Sequence, residues 1–246
     1  MVCLVSAKPH LPQEGALISR LTESFPEIKS ILVNHNPKQT NVILGKETRV
    51  LFGKETIADQ LLDVSFALSP LAFYQVNSAQ TERLYSLAFE FADFKGDELL
   101  LDLYCGIGSI GLTAYPQIGR LIGVEVVPQA IENARENAKA NGMERTEFLC
   151  GDAKFAAKEL ADRGLKPDVI IVDPPRKGCD REVLESIAEM APPKVVMISC
   201  NPSTAARDCK ILNELGYQLE KFCPVDLFPR TGHCETVILL RKKDAK

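Results

Sequence analysis

Three polar segments of this sequence contain residue types that can carry out covalent chemistry. The apolar run Val195–Ser199 is followed by Cys200, and a thiolate in that position is a strong nucleophile. A second apolar run is followed by Asp173-Pro-Pro-Arg176, in which two prolines favour an extended loop. Glu235 lies in a turn-rich segment near the C-terminus and is a candidate proton acceptor. A nucleophile with a nearby base is typical of a catalytic site.

A glycine-rich segment earlier in the chain indicates a nucleotide-like cofactor. Asp102-Leu-Tyr-Cys-Gly106-Ile-Gly108-Ser-Ile-Gly111 contains the pattern G-x-G-x-x-G. Glycines at this spacing let the backbone approach a nucleotide and turn sharply into a helix. Glu125 follows roughly 20 residues later, where an acid can bind both ribose hydroxyls. The pattern alone leaves NAD and S-adenosylmethionine open.

The elements that must position these residues alternate between strand and helix. From Leu99 to Leu215, short apolar runs alternate with helical patterns, and Gln218–Val225 with Thr236–Leu240 is typical of a closing antiparallel pair. Such alternation predicts an α/β fold, with a mostly parallel sheet covered by helices on both faces. The carboxyl ends of parallel strands meet at one edge, so Cys200 and Asp173 should converge there.

The first seventy residues have a different pattern. Short β-type runs separated by turn signals predict a small N-terminal antiparallel β subdomain, with strands at Ile31–Val33, Asn41–Leu44, Arg49–Phe52 and Val64–Leu68. The repeated words at Gly45–Thr48 and Gly53–Thr56 are interpreted as two successive turns. We therefore predict a partial central β-rich subdomain over residues 1–70 and a catalytic domain over residues 71–246.

Composition limits the classes of function. The 246 residues carry 29 Lys and Arg against 33 Asp and Glu, a net charge of −4, whereas a self-sufficient nucleic-acid binder usually has a basic surplus. The eight cysteines form no Cys-x-x-Cys pair, which disfavours a zinc ribbon and fits a reducing cytoplasm. No apolar run approaches the ~20 residues of a transmembrane helix, and no secretion signal is evident.

Taken in order, five motifs resemble the RNA uracil-C5 methyltransferases, which form 5-methyluridine in ribosomal or transfer RNA with S-adenosylmethionine. The matching segments are Phe73-Tyr74-Gln75-Val76-Asn77, Asp102–Gly108, Asp173–Arg176, Ser199–Pro202 and Thr231–Glu235, with a weaker likeness at Asn34–Asn41. The resemblance implies a Rossmann-like class I methyltransferase with a mostly parallel seven-stranded sheet. It also implies methyl transfer to uridine C5, with ribosomal RNA favoured over transfer RNA.

The resemblance also implies a role for each matching position. Cys200 corresponds to the nucleophile that adds to C6 and Glu235 to the base that removes the C5 proton. The predicted cofactor-binding residues are Gln75, Tyr104, Gly106, Gly108, Glu125, Asp152 and Asp173. The predicted substrate-binding residues are Gln75, Asp173, Arg176 and Asn201. No metal site is predicted, and the target nucleotide is expected to be extruded from its RNA.

Some members of that family carry additional parts that we do not find here. One is an N-terminal RNA-binding β-barrel, and another is a cysteine cluster that holds an iron-sulfur cluster, so we expect this chain to be a fragment whose full-length protein could contain both. We expect a cytoplasmic monomer that binds RNA and no membrane. The alternatives are an RNA cytosine-C5 methyltransferase, in which a cysteine would usually replace Arg176 after the prolines, and an NAD-dependent oxidoreductase. An amino-methyltransferase and a non-catalytic RNA-binding module fit less well.

Overall fold

A computed structural model of the chain describes residues 1–38 and 41–243, and these divide into two compact units. The first unit comprises Met1–Asp59 with Phe66–Phe73, and the second comprises Gln60–Ser65 with Tyr74–Lys246. The domain boundary between residues 70 and 71 stays a prediction. Two short stretches lie outside the described residues. Residues 39–40 belong to the segment Asn34–Asn41, which has a weaker likeness to the family, and residues 244–246 belong to the predicted catalytic domain.

The described residues form strands and helices in the following order along the chain. The strands are β1 (Val2–Ser6), β2 (Ser30–His35), β3 (Glu47–Gly53), β4 (Ile57–Leu61), β5 (Val64–Leu68), β6 (Leu99–Leu103), β7 (Arg120–Glu125), β8 (Thr146–Cys150), β9 (Val169–Val172), β10 (Lys194–Ser199), β11 (Tyr217–Val225) and β12 (Glu235–Lys242). The helices are α1 (Glu14–Ser24), α2 (Ser78–Ala92), α3 (Ser109–Ala114), α4 (Pro128–Ala140), α5 (Ala153–Asp162), α6 (Arg181–Met190) and α7 (Pro202–Glu214).

The second unit is built on a seven-stranded sheet with the order β11-β12-β10-β9-β6-β7-β8. Strands β6 to β10 are mutually parallel, while β12 runs antiparallel to both β10 and β11. The predicted α/β class and mostly parallel seven-stranded sheet are thereby confirmed. From β6 onward the predicted elements agree with the structure within one or two residues, except that α5 was not predicted.

Alternate side chains of the central strands pack on opposite faces of this sheet. Leu101 and Leu103 of β6 belong to a core with residues of α5, α6 and α7. Asp102 lies between them, so its side chain is directed to the other face, where its Oδ2 atom accepts a hydrogen bond from the Gly111 amide of α3 at 2.9 Å. Helices therefore cover both faces of the sheet. The edge at which the parallel strands end is left as the place for a site.

The first unit contains a three-stranded sheet with the order β1-β2-β3. Strands β2 and β3 are antiparallel, as predicted, but β1 is parallel to β2 because helix α1 forms the crossover between them. Strands β4 and β5 form a separate two-stranded sheet, and β4 was not predicted.

One predicted strand in this region, Asn41–Leu44, is wrong. The Asn36 side-chain amide donates to the carbonyls of Val42 and Ile43, both at 2.8 Å, and Asn34 exchanges hydrogen bonds with Gly45. These side chains satisfy backbone groups that a strand would pair with a neighbour, so the segment bends instead.

Candidate active site

The candidate residues lie where the parallel strands of the second unit end. Tyr104 follows β6, Glu125 ends β7, Asp152 lies just beyond β8, Asp173 follows β9 and Cys200 follows β10. Because parallel strands share one carboxyl edge, residues far apart in the sequence are brought to the same side of the sheet.

Strand β12 brings Glu235 to this edge because it runs antiparallel to β10. Ser199 pairs with Thr236 in the register of the two strands, so the next positions, Cys200 and Glu235, lie opposite each other. Glu235 is only 3% exposed, and Cys200 is half-buried. The strand register thus sets a thiol against a buried carboxyl.

Arg176 is the positive group beside this thiol. Burial raises the pKa of the Cys200 thiol above its ordinary value, and the carboxylates of Glu235 and Asp173 raise it further. The Arg176 guanidinium opposes these effects by a hydrogen bond to the thiol and by its charge. Of the groups that act on this thiol, Arg176 is the one that favours its ionised form.

The carboxyl groups of Glu235 and Asp173, beside Cys200, hold protons more readily than ordinary carboxylic acids. Burial raises the pKa of Glu235, and the charge of Arg176 works against that rise. Burial also raises the pKa of Asp173 to about 8, with the charges of Glu235 and Asp102 adding to the effect. Acids of this kind can accept a proton near neutral pH, which an ordinary carboxylate does poorly.

Arg176 is held by neighbours on two sides. Its Nη2 atom lies 3.0 Å from both ring nitrogens of His233 and can donate to the one that carries no proton, and that ring lies edge-on to Phe228 with centroids 6.4 Å apart. The Asn201 side chain donates to the Arg176 carbonyl at 3.2 Å and accepts from the Ser203 amide at 3.1 Å, so it also caps α7. The predicted contact between Asn201 and substrate stays a prediction.

The glycine-rich turn after β6 shapes the neighbouring part of the edge. Tyr104, Gly106 and Gly108 all have left-handed backbone conformations, with φ values of 64°, 54° and 84°. The Gly106 amide donates to Glu125 Oε2 at 3.3 Å and the Val127 amide to Oε1 at 3.0 Å, which orients the carboxylate. A Cβ atom on Gly106 would meet nothing within 4 Å, so the space beside the turn is open.

Two predicted residues are not hydrogen-bonded to this group in the part of the chain that the structure describes. Asp152 is exposed, and its Oδ1 atom accepts from the Phe155 amide at 2.8 Å, which caps α5. Gln75 is half-buried, two residues before Asn77, the N-cap of α2. Within residues 1–38 and 41–243, neither side chain is hydrogen-bonded to another candidate. The structure therefore brings together Cys200, Glu235, Asp173 and Arg176, but does not join Asp152 or Gln75 to them.

Sequence reasoning missed a buried charged residue behind the site. Asp208 of α7 is fully buried and pairs with the adjacent Arg207, whose Nη2 atom lies 2.7 Å from Asp208 Oδ1. The signal was its spacing, because Ala205 and Leu212 place Asp208 on the apolar face of the helix. A charge on that face indicates a specific partner.

Two further features concern metal binding and membrane-spanning helices. In the part of the chain that it describes, no three His, Cys, Asp or Glu side chains are arranged to hold a metal ion, and all eight cysteines are free thiols. None of the helices there combines the length and apolar character that crossing a bilayer requires.

Comparisons with known proteins point to one family. The family model described as tRNA (Uracil-5-)-methyltransferase matches residues 26–243. A protein named as an uncharacterized RNA methyltransferase in Clostridium tetani is 47% identical over 240 residues, covering 98% of this chain and 52% of that protein. A similarly named protein in Staphylococcus aureus is 47% identical over 243 residues, covering 99% and 53%. The chain thus spans about half the length of the curated relatives it matches.

Solved structures agree with this grouping. The tRNA (uracil-54, C5)-methyltransferase of Pyrococcus abyssi, in complex with S-adenosyl-L-homocysteine, aligns with a TM-score of 0.77 and 28% identity, covering 97% of this chain and 55% of that one. TYW2 of Pyrococcus horikoshii, in complex with MeSAdo, aligns with a TM-score of 0.61 and 17% identity, covering 97% and 86%. At that identity the second likeness concerns the fold alone.

Proposed function

Because this chain belongs to the tRNA (uracil-5-)-methyltransferase family, we propose that it transfers a methyl group from S-adenosylmethionine to C5 of a uridine in RNA. The proposed route passes through a covalent bond between Cys200 and C6 of the base. The observation that carries the proposal is the register of β10 and β12, which sets Cys200 opposite the buried Glu235. Arg176 beside them supplies the positive charge that a thiolate needs.

The glycine-rich edge has the features of a site for S-adenosylmethionine, which supplies an electrophilic methyl group on a sulfonium. Glu125 is assigned to the ribose hydroxyls, since backbone amides orient its carboxylate beside open space. Tyr104, Gly106 and Gly108 are assigned to the wall of this site, and Asp173 to its border with the target base. The S-adenosyl-L-homocysteine in the Pyrococcus abyssi relative supports this assignment. Gln75 and Asp152 are retained as proposed contacts on the resemblance alone.

The thiolate of Cys200 solves the main chemical problem, which is that C5 of uracil is a poor nucleophile. Its sulfur forms a bond to C6, and the electrons of the C5–C6 double bond move toward C5 and O4. The negative charge on O4 needs a donor, and Arg176 has N–H groups beyond the one directed at the thiol. C5 then becomes electron-rich enough to take the methyl group, whose bond to the sulfonium would break and leave the neutral thioether as the second product.

Glu235 completes the reaction as the base. Its carboxylate takes the proton from the methylated C5, and the electrons of that C–H bond restore the double bond as the bond between sulfur and C6 breaks. Cys200 leaves as a thiolate. The burial that raises the pKa of Glu235 makes it a stronger base for this step.

The substrate class is RNA, and we retain ribosomal RNA as the proposed target on the resemblance. Transfer RNA is the alternative, which the names of the family model and of the Pyrococcus abyssi relative favour. The target uridine must leave its stack to bring C6 to Cys200. We also propose a cytoplasmic monomer, and the eight free thiols support a reducing compartment.

Two variants test the function. Methylation of a mixture of ribosomal and transfer RNA is measured with labelled S-adenosylmethionine, followed by mapping of 5-methyluridine. Cys200→Ala should lose methyl transfer by a factor of about 10³ or more while its affinity for S-adenosylmethionine, measured by calorimetry, stays within about twofold. Glu235→Gln should form the adduct but release it slowly, so RNA should stay attached to the protein on a denaturing gel.

The controls for this test separate the candidate functions. Cys223→Ala removes a half-buried thiol on β11 and should leave methylation unchanged. Full turnover by Cys200→Ala would refute the covalent route. Methylcytidine as the product would favour the cytosine-C5 alternative, and binding of NAD in place of S-adenosylmethionine would favour the oxidoreductase.

A further inference from the structure

Arg176 acts on Cys200 from an exposed loop between β9 and α6. Pro174 and Pro175 precede it and have no backbone N–H groups to anchor the segment. Arg176 and Lys177 are both exposed. The His233 ring contacts the Arg176 guanidinium from one side, but the position of the guanidinium also depends on what holds the backbone of the loop, since an arginine side chain has many rotamers.

Helix α7 makes the contacts that hold this loop. The Arg207 Nη2 atom donates to the carbonyls of Lys177 at 2.9 Å and Cys179 at 3.0 Å. Asp208 Oδ2 accepts from the Cys179 amide at 2.8 Å, and its Oδ1 atom accepts from Arg207 Nε at 2.9 Å. Three backbone groups that follow Arg176 are thus bonded to one ion pair.

The loop also fits this ion pair closely at Gly178. The residue has a φ of +77°, a conformation that side chains disfavour. A Cβ atom there would lie 2.5 Å from Arg207 Nη2 and 2.6 Å from Asp208 Oδ2. The absence of a side chain lets the loop backbone approach the charged pair directly.

We propose that Arg207 and Asp208 are positioning residues that hold the Arg176 guanidinium against the Cys200 thiol. Cys200 lies one residue before the cap of α7, and the same helix holds the loop that carries Arg176. One rigid element therefore sets the position of both partners. The inference rests on the proposed function, in which Cys200 is the nucleophile.

The test measures how readily Cys200 ionises, which requires neither RNA nor methyl transfer. Iodoacetamide alkylation of the 246-residue chain is followed on the Cys200 peptide by mass spectrometry over a range of pH. The charged groups that act on this thiol are Glu235, Asp173 and Arg176, and all three remain in the Arg207→Gln variant. Losing the nearby positive charge lowers the thiolate fraction, so Arg176→Gln should slow alkylation about tenfold at about pH 7.

The double variant distinguishes positioning from a general structural effect. Arg207→Gln should slow alkylation of Cys200 about three- to tenfold, while the Arg176→Gln/Arg207→Gln double variant should be no slower than Arg176→Gln alone. Arg207→Lys, which retains the charge, should recover part of the rate. A wild-type rate in Arg207→Gln, or an additional slowing in the double variant, would overturn the proposal.

Matched controls guard against misfolding and reagent effects. Arg181→Gln removes an exposed arginine of α6 that pairs with Glu185 on the same helix, and it should leave the Cys200 rate unchanged. The Cys223 peptide in the same digest corrects for reagent concentration. If Arg207→Gln fails to fold, Gly178→Ala is the second variant, because its added Cβ atom forces the loop away from the Arg207–Asp208 pair. This variant should also slow alkylation of Cys200. An unchanged rate in Gly178→Ala would refute the proposal. A negative result would leave the methyl-transfer test unaffected, so the two failures are distinguishable.

Discussion

At the scale of single residues, the surroundings shift the pKa values of Cys200 and Glu235 away from their ordinary values. In the proposed mechanism Cys200 loses a proton, yet burial and two carboxylates raise its pKa, and Arg176 opposes them. The same mechanism has Glu235 gain a proton, and burial favours that. The thiol proton therefore has acceptors beside it, and the ionisation of each group depends on its neighbours rather than on its residue type.

Asp102 is the buried acid whose titration should be visible in stability. It is fully buried, and its Oδ1 atom has no hydrogen-bond partner among the described residues. Burial raises its pKa from an ordinary value of 3.8 to about 7, although the Gly111 amide works against this and the Glu125 charge adds to it. Its contribution to the free energy of unfolding is thus fully present below about pH 4 and is lost as the pH rises through about 7.

Replacing Asp102 by a residue that cannot ionise should remove its part of the fall in the free energy of unfolding with rising pH. Asp102→Asn keeps an oxygen that can accept from the Gly111 amide but cannot ionise, so its free energy of unfolding should fall less than that of the wild type between about pH 4 and about pH 7. Urea unfolding at several pH values measures the difference. Asp162→Asn, at an exposed position, is the matched control. Equal pH dependence in Asp102→Asn and the wild type would contradict the prediction.

At the scale of elements, the glycine-rich turn combines an open side with a tight one. Gly106 borders open space, whereas Gly111 lies where α3 contacts the sheet. A Cβ atom on Gly111 would be 2.6 Å from Leu121 of β7 and 3.0 Å from Asp102 Oδ2 of β6. The first part of the motif can admit a ligand because the last part keeps the helix close to the strands.

A methyl group at Gly111 should separate this helix from the sheet. Gly111→Ala should lower the free energy of unfolding by about 1–3 kcal/mol, because Leu121 must move and the bond between Asp102 and the Gly111 amide is strained. It should also weaken S-adenosylmethionine binding. Gly15→Ala in α1, where a Cβ atom would meet nothing within 4 Å, is the control and should not be destabilising. Unfolding midpoints equal to the wild type in both variants would contradict this expectation.

At the scale of the whole chain, charge is the feature most relevant to RNA. The net charge of −4 differs from the basic surplus typical of proteins that bind nucleic acid through phosphates. The proposed activity needs the target base to reach Cys200, which depends on the shape of the edge and on specific contacts as well as on net charge.

We therefore expect these 246 residues to bind RNA weakly and with little dependence on salt. Fluorescence anisotropy with labelled RNA at several salt concentrations measures both quantities. The logarithm of the affinity should fall with the logarithm of salt far less steeply than a slope of about −5, which marks at least about six neutralised phosphates. S-adenosylmethionine binding should be insensitive to the same salt range. Tight binding with a steep slope would contradict the expectation.

Local pattern was sufficient for most elements of the second unit, but it failed for α5 and for two features of the first unit. Helix α5 was missed because its buried face is made mainly of the small residues Ala153, Ala156 and Ala157, which give a weak apolar period. The parallel pairing of β1 with β2 was missed because short strands carry little information about direction. In the segment 41–44, the carbonyls of Val42 and Ile43 accept hydrogen bonds from the Asn36 side chain in place of the strand partner that the apolar pattern predicted.

The sequence by itself determined the α/β alternation, the order of the motifs and the residue types at the strand ends, because these depend on local periodicity and spacing. Only the tertiary structure decided that Cys200 faces Glu235, since that contact depends on the register of two strands separated by a helix and a further strand. It also decided that Arg176 lies beside the thiol and that Arg207 and Asp208 are hydrogen-bonded to the loop that carries Arg176. Burial and neighbouring charge set the ionisation of these groups, and both depend on long-range packing.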